Sequence, residues 1–81
     1  MYLYIGKESS VKSKDIIGIF NLDYIKNTKE YRNIKERLSE EKKLVFVSDK
    51  SPKSFILTQN NKKEKAYITN IGVYTISKRL I

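Results

Sequence analysis

Leu44-Val45-Phe46-Val47 and Phe55-Ile56-Leu57 are two unbroken apolar runs on either side of Ser48-Asp49-Lys50-Ser51-Pro52-Lys53-Ser54, and this stretch decides the fold class. Consecutive side chains of a strand point to opposite faces, so runs apolar at every position predict strands that are covered on both sides. Pro52 has no amide hydrogen for a ladder and belongs in the connection between them. The layers that cover these strands have to come from the rest of the chain or from another subunit.

Upstream, Tyr2-Leu3-Tyr4-Ile5-Gly6 reads as a first strand, with Tyr2 and Tyr4 on one face and Leu3 and Ile5 on the other. Val11 fits a short second strand. Ser13-Lys14-Asp15 is a polar break before Ile16-Ile17-Gly18-Ile19-Phe20, another doubly apolar run. Residues 27–41 predict a helix with Asn27 as N-cap, Glu30 completing a capping box, and one apolar stripe of Tyr31, Ile34 and Leu38. Downstream, residues 59–65 read as a polar turn and Ala66-Tyr67-Ile68-Thr69 as a last strand. Ile71, Val73, Ile76 and Leu80 suit a short terminal helix with Lys78 and Arg79 in its last turn. The order predicts an α+β fold, one domain over residues 1–81, with a small mostly antiparallel sheet, one central helix and a short C-terminal helix.

A chain of 81 residues buries only about 60–65% of the surface of its unfolded form, which makes a lone monomer marginal. It contains no Cys and no His, which removes disulfides and the usual zinc ligands and leaves packing and self-association as sources of stability. The expected homo-oligomer interface consists of Tyr2, Tyr4, Ile17, Ile19, Phe46 and Phe55. All six lie in apolar strand patterns, and a core or subunit role suits such aromatics better than a platform for unpaired bases. The opening MYLYIGKE has no basic segment leading into an apolar one, and no apolar run approaches the ~20 residues of a membrane helix. A cytoplasmic protein with no membrane partner is expected.

Seventeen Lys and Arg face nine Asp and Glu, for a net charge of +8. Residues 1–41 balance to +1, so the remaining +7 belongs to residues 42–81 and points to a polyanionic partner. With neither His nor Cys, the commonest general base and the best nucleophile are missing, and the three glycines have no phosphate-loop spacing. A non-enzymatic protein without cofactor or metal is expected; a nuclease would rest on charge alone. In the central connection, Pro52 stiffens a loop that holds Lys50 and Lys53 at its rim, with the hydroxyls of Ser51 and Ser54 beside them. Such a set suits phosphate contact, and it equally suits a solvated polar turn.

Tyr2 to Gly6, the block Val11-Lys12-Ser13-Lys14-Asp15-Ile16-Ile17-Gly18-Ile19-Phe20, the block Pro52-Lys53-Ser54-Phe55-Ile56-Leu57-Thr58 and the closing Thr75-Ile76-Ser77-Lys78-Arg79-Leu80 together resemble the RemA/RemB family of small bacterial extracellular-matrix (biofilm) regulators, the RemB branch most of all. The resemblance implies a transcription regulator that binds double-stranded DNA, with subunits in a ring that repeats a basic surface. It places DNA contact in the loop before the Pro52-Lys53-Ser54 block. The RemA branch has consecutive arginines there, and this chain has Lys50 and Lys53. A basic residue ahead of Asp15-Ile16-Ile17, here Lys14, also fits the RemB-like pattern. Lys50, Lys53, Ser51 and Ser54 are therefore the principal expected nucleic-acid contacts, with Lys14, Lys12 and Lys7 secondary. A second expectation is an assembly or adaptor subunit that pairs with a paralogous regulator and touches DNA little.

Overall fold

The computed structural model describes residues 1–48 and 50–80, within extents of 31 × 29 × 19 Å. The chain runs β1 (Tyr2–Gly6), β2 (Ser9–Lys12), a 3-10 turn (Ser13–Asp15), β3 (Ile16–Asn21), α1 (Leu22–Ile25), α2 (Lys29–Glu40), β4 (Leu44–Phe46), β5 (Ser54–Asn60), β6 (Lys63–Thr69) and α3 (Val73–Arg79). The fold is α+β, as the order of elements predicts. The strands form two sheets: an antiparallel β1-β2 pair, and a four-stranded sheet in the order β3-β5-β6-β4. In the larger sheet β4 lies parallel to β6, while the other pairings are antiparallel.

Three layers result. On one face of the four-stranded sheet, Phe55, Leu57, Ala66 and Ile68 pack with Leu22 of α1 and with Tyr31 and Leu38 of α2. The Tyr31 and Phe55 rings meet edge to face with centroids 5.2 Å apart. On the other face, Ile56 packs with Leu3, Ile5 and Val11 of the β1-β2 pair and with Ile76 of α3. The doubly apolar run 55–57 is thus covered on both sides by layers of its own chain. Among the described residues no helix is long and apolar enough to cross a membrane.

Several boundaries differ from the sequence expectation. The cap of α2 is Thr28, whose Oγ1 accepts from the Tyr31 amide at 3.2 Å, so Asn27 and Glu30 do not form the expected box. Thr28 takes this place because the short α1 runs up to Ile25, whose carbonyl also accepts from the Thr28 hydroxyl at 2.7 Å. The polar segment 59–65 is largely strand. β5 and β6 pair as far as Asn60 and Lys63, and the turn is the two residues Asn61 and Lys62, both left-handed, as a tight hairpin with native twist requires. In β3 the register shifts between Ile16 and Gly18. The extra residue turns Ile17 outward and leaves Ile16 and Ile19 together on the β1-β2 side.

Candidate nucleic-acid interface

The connection from β4 to β5 crosses the end of β6, and main-chain bonds fix it where it enters and where it leaves. The Val47 amide donates to the Ile68 carbonyl at 2.8 Å. At the far side the Lys53 amide donates to the Thr69 carbonyl at 2.9 Å, and the Lys53 carbonyl accepts from the Leu22 amide at 3.0 Å. Between them, the Lys50 amide donates to Ser48 Oγ at 3.3 Å, and Ser51 takes a left-handed conformation at φ 46°. Lys50, Ser51, Pro52 and Lys53 are all exposed. The backbone that carries Lys53 is thus held on both sides while its side chain stands in solvent.

Lys7 belongs to the same end of the sheet. It is exposed and left-handed at φ 40°, and it follows Gly6, where an added Cβ would stand 3.1 Å from Thr69 Oγ1 and 3.3 Å from Val47. The Gly6 backbone therefore lies against the base of the connection, in a conformation that favours glycine. Lys7, Lys50 and Lys53 bring three cations to one end of the sheet, with the Ser51 hydroxyl beside two of them.

Lys12 and Lys14 lie elsewhere. Lys12 pairs with Tyr2 at the opposite end of β1, and Asp15, next to Lys14, accepts from Asn60 Nδ2 at 3.1 Å at the hairpin end of β5. A seven-residue strand separates the two ends by about 20 Å, so these two lysines do not join the loop cluster. Ser54 is spent inside the fold: it is 0% exposed, and its hydroxyl donates to the Ile71 carbonyl at 2.6 Å. As the first residue of β5 it points inward, which leaves no hydroxyl for phosphate.

The expected interface residues divide in the same way. Phe55 is 2% exposed in the core beneath α2, and Ile19 packs against the other core. Tyr2 (65% exposed), Tyr4, Ile17 (51%) and Phe46 (57%) do lie on the surface. Ile17 and Phe46 sit on β3 and β4, the two edge strands of the four-stranded sheet. Sequence reasoning missed Phe20, Tyr24 and Tyr74, which are exposed as well. Arg79 spans α3 and β1, donating to the Tyr4 carbonyl at 3.0 Å with its guanidinium 5.4 Å from the Tyr4 ring centroid. Among the described residues, no group of three or more acidic side chains is placed to hold a metal ion.

No protein-family model matches the chain, and no curated protein matches it.

Proposed function

We propose that this chain is a DNA-binding transcription regulator of the extracellular-matrix type, acting in the cytoplasm as a ring-like homo-oligomer through contacts to the phosphate backbone. The observation that carries the reading is the anchored, exposed Lys50 to Lys53 loop with Lys7 beside it. Cations on a fixed backbone suit a regular array of phosphates, and they read charge rather than sequence. One protomer offers few contacts; several copies in a rigid body multiply them, because each later contact forms intramolecularly. The two edge strands favour assembly. β3 of one copy and β4 of the next are different surfaces, so their contact is head to tail, and such contacts close into a ring when the rotation from copy to copy divides a full turn. The resemblance to the RemA/RemB family points the same way.

Fluorescence anisotropy on labelled duplex DNA at two salt concentrations tests the reading. Wild type binds at low salt with a steep salt dependence, and Lys50→Ala/Lys53→Ala loses both affinity and part of that slope. An unchanged slope in the double variant rejects the loop as the contact surface.

A second reading, an adaptor that pairs with a paralogous regulator, is favoured by the exposed Phe46 and Ile17 edges together with lysines in place of arginines, since Lys makes no bidentate phosphate contact. It predicts weak duplex binding by the chain alone and strong binding after mixing with that partner.

A further inference from the structure

At the other end of the sheet from the DNA loop, the β5-β6 hairpin and the turn after α2 enclose an open trough of about 420 Å³. Its walls carry four lysines, Lys42, Lys43, Lys63 and Lys65, against two carboxylates, Asp15 and Glu64. Both carboxylates are engaged within the fold. Glu64 pairs with Arg37 at 2.8 Å, outside the lysine set, and Asp15 accepts from Asn60. Lys43 pairs with Glu41 at 3.7 Å; no ion pair among the described residues involves Lys42, Lys63 or Lys65. The trough therefore keeps a positive excess, with Thr58 and Asn60 as further polar groups in its lining.

The local backbone brings the lysines together. After α2, the Lys42 amide donates to the Ser39 carbonyl at 3.1 Å and the Lys43 amide to the Leu38 carbonyl at 2.8 Å, the paired bonds of a Schellman ending. Such an ending places its first residue past the cap in the left-handed region, where glycine is the easiest occupant. Here that residue is Lys42, at φ 59°. The Lys43 carbonyl then accepts from the Ala66 amide at 3.0 Å, which ties the turn to β6 beside Lys65. A lysine at a glycine position and a hairpin that carries Lys63 and Lys65 beyond the start of β4 both concentrate charge around one concavity.

We propose that this trough binds a ligand presenting two or more adjacent phosphates, as a nucleoside polyphosphate or a nucleic-acid backbone does. Its volume exceeds that of one phosphate and falls within the range of small-molecule sites, roughly 300–1,000 Å³. Three ammonium groups outside any ion pair among the described residues, with Lys43 beside them, match a ligand whose charge is spread over several phosphates better than a single anion. The site is separate from the DNA loop and does not depend on it.

Calorimetric titration of the full-length protein with inorganic triphosphate, at constant ionic strength and with sulfate as reference, tests the proposal. Saturable binding at one site per subunit is expected, tighter than sulfate by about tenfold or more. Lys63→Ala/Lys65→Ala is expected to weaken it by a similar factor. The charge-matched Lys26→Ala/Lys29→Ala is expected to stay within about twofold of wild type, as exposed charges far from a site contribute little. Lys50→Ala/Lys53→Ala should bind triphosphate like wild type, even if duplex binding fails altogether. Competition identifies the source of the phosphates: displacement of duplex DNA by triphosphate assigns the trough to the nucleic-acid backbone, and simultaneous binding assigns it to a small phosphorylated compound. Absence of saturable triphosphate binding, or equal weakening in the Lys63/Lys65 and Lys26/Lys29 variants, overturns the proposal.

Discussion

The Thr69 hydroxyl donates to the Ile5 carbonyl at 2.7 Å, tying the end of β6 to the end of β1 across 64 residues of sequence. The same oxygen accepts from the Ile71 amide at 3.3 Å, and the Thr69 carbonyl accepts from the Lys53 amide. One buried residue thus joins the β1-β2 pair, the start of α3 and the cationic loop. Thr69→Val keeps the shape and removes the hydroxyl, leaving the Ile5 carbonyl buried without its donor. It is expected to lower stability by about 1–3 kcal/mol, measured by urea denaturation.

Ser54→Ala separates structure from contact beside the Lys50 to Lys53 loop. The Ser54 hydroxyl is bound to the Ile71 carbonyl. Its removal should lower stability by about 1–3 kcal/mol and leave the salt dependence of duplex binding unchanged. Lys53→Ala should do the opposite: stability stays near that of wild type, while the slope of log K against log salt falls by about 0.9 for each phosphate the variant no longer neutralises.

Lys53→Arg, combined with Lys50→Arg, puts planar donors where this chain has point charges. Tighter duplex binding than wild type is expected, because guanidinium groups contact phosphate through two parallel hydrogen bonds. Electrophoretic mobility shift at fixed salt measures it.

Phe55→Ala and Phe46→Ser distinguish core from assembly. Phe55 is enclosed by Tyr31, Leu22 and Leu38, and its truncation should cost about 3–5 kcal/mol in thermal or urea unfolding. Phe46 stands on an edge strand in solvent. Phe46→Ser should reduce the mass of the assembly in light scattering while leaving the circular dichroism spectrum intact.

Tyr31 gives the fold an alkaline limit. Burial pushes its phenol above the ordinary tyrosine range. The unfolded chain therefore releases this proton first, and the Tyr31 contribution to stability is full below pH ~10 and lost as pH rises through the higher folded value. An absorbance titration of the six tyrosines should show one late group that disappears in Tyr31→Phe.

Most of the fold was legible because the signals were local. Leu3 and Ile5 are buried and Tyr2 and Tyr4 exposed, as strand alternation requires, and Tyr31, Ile34 and Leu38 face the sheet. The short α1 was not legible: its cap, Asn21 Oδ1 accepting from the Asp23 amide at 2.9 Å, stands before only four helical residues, too few to show a period. The strand extensions at 59–60 and 63–65 look like a turn because they project beyond the covering layers and carry no apolar face. The candidate site was legible only in part. Lys50 and Lys53 are neighbours in sequence and in space, whereas the distance of Lys14 from them depends on which end of β5 meets the 3-10 turn. Lys42, Lys43, Lys63 and Lys65 come together only through the parallel pairing of β4 with β6, a long-range choice that no short window contains.

The solution mass of the untagged protein, measured by multi-angle light scattering at low salt, decides between a ring and a monomer. A protein that binds DNA through weak contacts repeated around a ring should give a sharp multiple of the 9.5 kDa chain, and the mass should fall in Phe46→Ser. A single 9.5 kDa species at all protein concentrations contradicts the ring, and with it the multivalent binding on which the proposed function depends.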